Sequence, residues 1–183
     1  MDATEAPQII EHLSIPTGFT PFEVRWVPCS AKFILMGVNS RGKGVVRMYE
    51  LDKATANVVA EAEHDAGMKC STFGASLFER RQIATGDFDG RLKIFDIDNL
   101  TTPVYNVKAH SKRVNCIDGV GGLKVGYGAP EIVTGSEDGT VRVWDPRQKE
   151  AVASLEPAPG QVARDCWTVA FGNSFNENER YEN

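Results

Sequence analysis

The stretch IVTGSEDGTVRVWD, Ile132–Asp145, has a second copy earlier in the chain. Shifted back by 49 residues, the same frame reads IATGDFDGRLKIFD, Ile83–Asp96. A further shift of 49 residues reaches a degenerate copy, ILMGVNSRGKGVVRMYE, at Ile34–Glu50. Units that recur about every 20 to 50 residues are typical of solenoids and propellers. The chain is therefore predicted to be a repeat protein with at least three units.

Each unit has the pattern of β-structure. Asp89–Gly90 and Asp138–Gly139 are tight-hairpin signals, because Asp and Gly tolerate a positive φ. In the third unit, four short apolar or alternating runs follow one another: VNCIDGV, EIVTGS, TVRVWD and AVASLEP. These runs predict four strands in each unit.

The third strand of each unit carries bulky side chains on both faces, since successive residues of a strand point to opposite sides. Val141 and Val143 share one face, and Arg142 and Trp144 share the other. The same split is predicted for the earlier copies: Leu92 and Ile94 against Lys93 and Phe95, and Val46 and Met48 against Arg47 and Tyr49. Bulky groups on both faces indicate that each sheet is covered on both sides by the sheets of neighbouring units, as in an all-β propeller. The chain is predicted to contain about three complete four-stranded blades and the start of a fourth.

The composition narrows the possible function classes. A chain of 183 residues with a net charge of -5 is not expected to be a dedicated nucleic-acid binder, which usually has a basic face. The sequence shows neither a signal peptide nor an apolar run of about 18 residues, so we expect a soluble, cytoplasmic protein without a membrane partner. The four cysteines form no CxxC pair, which predicts free thiols, no metal and no cofactor.

The repeated stretch, with a histidine upstream of it, resembles a WD repeat. In that family His, Ser or Thr, Asp and Trp form a hydrogen-bonded network within a blade. The matching residues of the third unit are His110, Thr134 or Ser136, Asp138 and Trp144, and those of the second unit are His64, Thr85, Asp89 and Phe95. Because Phe95 lacks the indole donor, the second network is expected to be weaker.

Other patterns suggest chemistry or binding. His64 and His110 are interpreted as structural residues rather than catalytic or metal-binding ones, because they recur at equivalent repeat positions. The glycine-rich stretch 119–130 fits neither a GxGxxG nor a P-loop pattern, and is predicted to be a flexible loop that could contact a partner. The residues predicted to contact partners are Phe88, Arg113, Glu137 and Trp167 near one rim, and Arg147 in the tetrapeptide WDPR.

Three stretches go beyond the generic repeat: Trp26–Gly37, Ile117–Lys149 and Arg164–Arg180. Together they closely resemble the Monad-type WD-repeat proteins, a family of dynein axonemal assembly factors, and the likeness extends over Pro7–Arg180. The resemblance implies a non-enzymatic cytoplasmic scaffold for preassembly of the dynein arms of motile cilia. It also implies four kinds of partner: RuvB-like ATPases, a tetratricopeptide co-chaperone, prefoldin-like subunits and axonemal dynein chains.

Two alternatives stay open at this point. The WDPR motif is similar to the WDxR of substrate receptors of cullin-type ubiquitin ligases, in which the arginine contacts the adaptor; here that residue is Arg147. An enzyme is a third hypothesis, but the sequence offers no convergent nucleophile, base or metal set.

The repeats divide the chain into five predicted segments. These are an N-terminal segment, 1–18, that would form the outer strand of a closing blade; three blades at 19–67, 68–110 and 111–160; and the start of a fourth blade at 161–183. In the last segment only one strand is predicted, near Cys166–Phe171. Since the family that it resembles has seven blades, we expect this chain to be a fragment, the product of a truncated gene prediction or a short isoform, or to be completed by another chain.

Overall fold

The computed structural model describes residues 10–76, 80–121 and 131–172, and these form three antiparallel sheets of four strands each. In every sheet the strands pair in chain order, as a meander. The first sheet contains β1 (Thr20–Trp26), β2 (Lys32–Val38), β3 (Gly44–Asp52) and β4 (Thr55–His64). The second contains β5 (Met68–Thr72), β6 (Gln82–Asp87), β7 (Arg91–Asp96) and β8 (Tyr105–Lys108). The third contains β9 (Val114–Gly119), β10 (Ile132–Ser136), β11 (Val141–Trp144) and β12 (Ala151–Leu155). The all-β repeat architecture predicted from the sequence is confirmed.

The central hairpins of the second and third sheets follow from their turn residues. Gly90 and Gly139 have φ values of 73° and 79°, in the left-handed region that glycine adopts without a steric penalty. The turns set equivalent registers, in which Ile83 lies opposite Phe95 and Ile132 lies opposite Trp144. The same position of each unit therefore points toward the preceding sheet: Ile83 and Phe95 toward the first sheet, and Ile132 and Trp144 toward the second.

The sheets stack face to face, and two apolar cores lie between them. The first core lies between the first and second sheets and includes Ile34, Met36, Met48, Met68, Ile83 and Phe95. The second lies between the second and third sheets and includes Cys70, Leu92, Ile94, Val114, Ile132 and Trp144. Full burial of a Val, Leu, Ile, Phe or Met side chain contributes about 1.5–3 kcal/mol. The middle sheet is therefore covered on both faces, as its bulky alternation predicted.

The register of the first sheet differs from the sequence-based alignment. Ile34 lies opposite Met48, so Met48 and not Tyr49 occupies the position of Phe95 and Trp144. The hairpin between β2 and β3 is longer, because Asn39 closes its turn with Lys43. Met48 enters the first core, whereas Tyr49 points to the opposite face and stacks on Phe33 with 5.0 Å between the ring centroids.

Two terminal segments lie against the outermost sheets. Residues 10–18 contain no strand and contact the first sheet, where His12 Nε2 lies 2.9 Å from the carbonyl oxygen of Lys53 and Arg47 donates to the carbonyl of Thr17. At the other end, the predicted strand Cys166–Phe171 is not formed: this segment contacts the third sheet without pairing as a strand. A strand needs a hydrogen-bonded neighbour, and the segment makes only a few single bonds, such as that from Cys166 N to Ser136 O at 2.9 Å.

Parts of three predictions lie outside the described residues. They are most of the glycine-rich stretch (122–130), the first half of the N-terminal segment (1–9) and the end of the fourth unit (173–183). Each sheet lies within one of the predicted blade segments, and the segment boundaries themselves stay a prediction. None of the secondary structure in the described ranges is a helix long and apolar enough to cross a bilayer.

Candidate functional site

The residues predicted as a blade network meet in the third sheet. His110 is buried, 1% exposed, and its Nε2 lies 2.8 Å from the hydroxyl of Thr134. Trp144 donates its indole N–H to the same hydroxyl at 2.9 Å. On its other side, His110 Nδ1 lies 2.8 Å from the hydroxyl of Thr140, which donates to Asp138 at 2.7 Å. We call His110, Thr134, Asp138, Thr140 and Trp144 the blade network.

The donors and acceptors of the blade network form one continuous chain. Because the Thr140 hydroxyl donates to Asp138, it can only accept from Nδ1 of His110. Nε2 is then free to accept from Thr134 when the imidazole is neutral. In this arrangement both imidazole nitrogens of His110 have a hydrogen-bond partner. The blade network thereby joins the segment before β9 to the β10–β11 hairpin.

Electrostatics agree with a neutral His110 beside an ionised Asp138. Burial lowers the pKa of His110, although Asp138 opposes this shift. Burial alone would raise the pKa of Asp138, but hydrogen bonds from Thr140 and Ser111 outweigh it and hold that pKa well below its usual range. Ser111 supplies both its backbone N–H, at 2.8 Å, and its hydroxyl, at 3.1 Å. The blade network therefore has the properties of a structural clamp.

The equivalent residues of the second sheet do not form such a network. His64 packs on Phe95, with 4.9 Å between ring centroids, and among the described residues its Nε2 has no hydrogen-bond partner. Thr85 donates to the carbonyl of Lys93 at 3.4 Å instead. Asp89, predicted as a network member, is exposed and donates its backbone N–H to Asp87.

The second sheet also contains a buried ion pair, between Asp87 and Lys93. Asp87 is fully buried, and Lys93 Nζ lies 2.9 Å from its Oδ2. Asp87 also accepts from the backbone of Arg91 at 2.8 Å and so closes the hairpin turn. In the third unit its position is occupied by Ser136, which donates to the carbonyl of Arg113 rather than to His110. Sequence reasoning missed Asp87 because the repeat alignment points to the aspartate two residues later.

The blade network predicts a specific acid sensitivity. The folded pKa of Asp138 lies below its unfolded value of about 3.9, so its stabilising contribution is present above that pH and is lost as the pH falls through that range. Between pH 5 and pH 3 we expect the free energy of unfolding of the wild type to fall by about 1 kcal/mol more than that of Asp138→Asn. Urea unfolding at the two pH values measures this difference. The exposed Asp98→Asn is the matched control and should keep the wild-type fall; an equal fall in Asp138→Asn would contradict the prediction.

Three of the predicted partner contacts meet in a row along one end of the sheets. The Phe22 and Phe88 rings lie 5.4 Å apart, with an interplanar angle of 57°. Lys69 Nζ lies 4.8 Å from the centre of the Phe22 ring, and the Arg113 guanidinium carbon lies 5.4 Å from the centre of the Phe88 ring. Arg113 Nη2 also pairs with Glu137 Oε2 at 2.9 Å. We call this set the rim row: Phe22, Lys69, Phe88, Lys112, Arg113 and Glu137.

The rim row crosses all three sheets. Phe22 belongs to β1 and Lys69 to β5, while Phe88 and Glu137 lie in the turns after β6 and β10. Sequence reasoning found Phe88, Arg113 and Glu137 but missed Phe22, Lys69 and Lys112. Phe22 and Lys69 had no signal in the repeat, since they join the row only when the sheets stack; Lys112 approaches Glu137 within the third unit.

The other two predicted contacts have different positions: Arg147 lies away from the rim row, whereas Trp167 follows Cys166, whose backbone N–H donates to Ser136 beside Glu137. Arg147 follows β11, at the end of the third sheet opposite to the β10–β11 turn, and its guanidinium pairs with Asp145 at 2.7 Å. Trp167 is 65% exposed in the segment beside the third sheet. The structure therefore does not bring Arg147 together with the rim row.

The four cysteines differ in exposure: Cys29 is exposed, Cys70 is buried, and Cys116 and Cys166 are intermediate. The four cysteines are free thiols. Burial raises the pKa of Cys70, and burial and Cys166 together raise the pKa of Cys116 to about 12, which disfavours the reactive thiolate. No group of three or more His, Cys, Asp or Glu residues in the described parts of the chain has a metal-binding arrangement.

Comparisons with known proteins agree with the geometry. The family described as WD domain, G-beta repeat matches residues 101–145. Dynein axonemal assembly factor 10 of Xenopus tropicalis is 55% identical over 177 residues, 96% of this chain and 49% of its own length. The human protein of that name is 52% identical over 181 residues, 98% of this chain and 51% of its own length, and the Chlamydomonas reinhardtii one is 49% identical. A chain in the crystal structure of the mitotic checkpoint complex matches 86% of this chain and 42% of its own length, with a TM-score of 0.64 and 18% identity, which supports the fold.

These matches confirm the resemblance predicted from the sequence. The chain spans about half the length of the curated relatives it matches.

Proposed function

We propose that this WD-repeat chain, which is similar over nearly all of its length to half of dynein axonemal assembly factor 10, acts in the assembly of axonemal dynein arms. The observation that carries the proposal is identity of 49–55% over almost the whole chain with relatives from frogs, human and a green alga. This identity is far above the 18% at which a solved structure shares the fold alone. A propeller fold by itself serves many functions, so the likeness to these relatives and the surface of the chain support the proposal, and the fold alone does not.

The proposed mechanism is non-enzymatic scaffolding. Blades held rigidly by buried cores and by the blade network can present loops at fixed distances from one another. Holding a chaperone and its client on one surface raises their effective concentration without any chemical step. The proposed partners are RuvB-like ATPases with their tetratricopeptide and prefoldin-like subunits on one side, and cytoplasmic axonemal dynein chains on the other.

The decisive experiment removes the gene from cells that build motile cilia. We expect axonemes that lack outer and inner dynein arms, counted in electron-microscope cross-sections, while microtubule doublets are retained. Affinity capture of the tagged full-length protein from the same cells, followed by mass spectrometry, should recover RuvB-like ATPases or dynein heavy chains. Normal arm counts after gene removal would refute the proposal.

The ubiquitin-ligase alternative makes a separable prediction at Arg147. The Arg147 side chain is 67% exposed and already engaged by Asp145, and it stands away from the rim row. We therefore expect Arg147→Ala, expressed in the deleted cells, to restore wild-type numbers of dynein arms. Loss of cullin-adaptor subunits from the captured material, together with failure to restore arms, would favour the ligase function instead.

A further inference from the structure

The rim row contains an aromatic residue that the repeat does not require. Phe88 and Glu137 occupy the same position of successive units, between a threonine–glycine pair and a glycine turn. The neighbouring Thr85 and Thr134 are identical, and the hydroxyl of each lies 3.4 Å from a carbonyl oxygen of the next strand. A turn that works with Glu137 needs no aromatic ring, so Phe88 requires an explanation beyond the hairpin.

The second unit makes room for the Phe88 ring. A Cβ atom on Gly67 would lie only 3.1 Å from the ring, a tight contact that the ring would have to relieve by shifting. Phe88 N donates to the carbonyl of Gly67 at 2.9 Å, and Glu137 N donates to that of Arg113 at 3.0 Å. Arg113 is thus the counterpart of Gly67 in the third unit, and its guanidinium lies over Phe88 of the second. Gly67, which has no side chain, and Arg113, which has a long one, thus together form the seat of Phe88, the space that its ring occupies.

The rings of the rim row remain accessible. Phe22 is 40% exposed and Phe88 is only partly buried, although both are large apolar side chains. Aromatic side chains held in place by neighbours, with arginine beside them, are the residue types that dominate binding energy at protein interfaces. Lys69 and Arg113 stand at the two ends of the ring pair and orient it.

The charge of the rim row is opposite in sign to that of the whole chain. It has three cations, Lys69, Lys112 and Arg113, and one carboxylate, Glu137, in a protein of net charge -5. Arg113 pairs closely with Glu137, while Lys112 is 3.7 Å from the same carboxylate. Across the described parts of the chain, Lys69 has no carboxylate within ion-pair distance. Lys69 is therefore available to a ligand beside the exposed rings, and Lys112, whose ion pair with Glu137 is the longer of the two, supplies a second cation.

We propose that the rim row binds an acidic peptide segment of a partner protein. An aromatic or leucine side chain of that segment lies on Phe22 and Phe88, and its carboxylates lie beside Lys69 and Lys112. The inference rests on the proposed scaffold function, and it names the chemistry of one segment that the scaffold holds. Charge complementarity of this kind selects partners and accelerates their association.

The test begins with a phage-displayed library of random peptides selected on the full-length protein. We expect the enriched peptides to combine acidic residues with an aromatic residue or leucine. Affinity for the most enriched peptide, measured by fluorescence anisotropy, should fall about tenfold in Phe88→Glu and in Lys69→Glu, and should weaken as salt is raised. Phe88→Glu installs the residue that the third unit already has, and Arg147→Ala, at the opposite end of the third sheet, is the matched control with unchanged affinity.

Two outcomes would overturn the inference. One is enrichment of basic or uncharged peptides, and the other is acidic–aromatic peptides that bind both rim variants as tightly as the wild type. Thermal unfolding of each variant checks its fold; if Phe88→Glu does not fold, Lys69→Glu decides, because it changes a partly exposed side chain outside both cores.

The cell experiment separates this inference from the function on which it rests. If gene removal abolishes the dynein arms and the Phe88→Glu and Lys69→Glu variants both restore them fully, the rim inference is wrong and the assembly function stands. If gene removal leaves the arms intact, the assembly function is wrong, and peptide binding to the rim row is judged by the affinity measurements alone.

Discussion

Replacing His110 by alanine is expected to lower the free energy of unfolding by about 3 kcal/mol, measured by urea unfolding at neutral pH. The imidazole is buried and bonds to Thr134 on one side and Thr140 on the other. Its removal leaves both hydroxyls short of a partner, each at a cost of about 1–3 kcal/mol, and opens a cavity between the second and third sheets. The loss should also release the β10–β11 hairpin, since Thr140 orients Asp138 in its turn.

His64→Ala is the matched control for this change. His64 holds the same repeat position, but it packs on Phe95 and its Nε2 has no hydrogen-bond partner among the described residues. We therefore expect His64→Ala to cost less than half as much as His110→Ala. Equal losses at the two positions would show that burial, and not the blade network, accounts for the stability at His110.

Gly90→Ala is the second change with a large expected effect, a loss of at least about 3 kcal/mol or failure to fold. Gly90 has a φ of 73°, and a Cβ there would lie 2.3 Å from the carbonyl oxygen of Lys112 and 2.4 Å from that of His110. These obstacles are backbone atoms, so they cannot move aside as a flexible side chain would. Gly90 also accepts hydrogen bonds from the backbone of Ala109 and of His110, both at 2.9 Å, and displacing it would break the junction between the second and third units.

Gly42→Ala separates the steric clash from the backbone penalty. Gly42 has nearly the same φ, 78°, but a Cβ there would meet no atom within 4 Å. Its replacement should cost only the left-handed conformation of alanine, about 1–2 kcal/mol. The measurement is the difference in the free energy of unfolding between the two variants. If both lose the same amount, the close approach at Gly90 contributes nothing to stability.

The two predictions concern the same part of the molecule. His110 and Gly90 lie where the chain passes from the second sheet to the third, close to Lys112 and Arg113 of the rim row. Loss of either residue is therefore expected to disturb the rim row as well as stability. Binding variants must be made at partly exposed rim positions outside the cores, such as Lys69, so that binding and folding can be measured separately.

Much of the fold could be predicted because its signals are local. The alternation of apolar residues in Leu92–Phe95 and Val141–Trp144, and the Asp–Gly turns before them, depend only on neighbours along the chain. The resemblance to a WD repeat then implied that His110 meets Thr134 or Ser136, Asp138 and Trp144, and in the structure Thr134 joins His110 to Trp144. In the first unit, where the repeat pattern is degenerate, the alignment gave the wrong strand register. The turn at Asn39–Lys43 is longer, so Met48 and not Tyr49 lies in the first core.

The candidate site was predictable only in part. Phe88, Arg113 and Glu137 were predicted from the sequence. Phe22 and Lys69 were not, because Phe22 contacts Phe88 and Lys69 only when separate sheets stack. Likewise Arg147, which a short motif placed among the partner contacts, lies at the opposite end of the third sheet from the β10–β11 turn.

The sequence by itself therefore determined the repeat, the strands and the hairpin turns of this protein, because backbone conformation and side-chain alternation are set by nearby residues. The tertiary structure alone decided which side chains of different blades meet. The buried Asp87–Lys93 pair, the seat of Phe88 beside Gly67 and Arg113, and the unpaired course of Cys166–Phe171 all depend on how the sheets pack. Contacts between residues distant along the chain have no local pattern, since their energy arises only when the sheets come together.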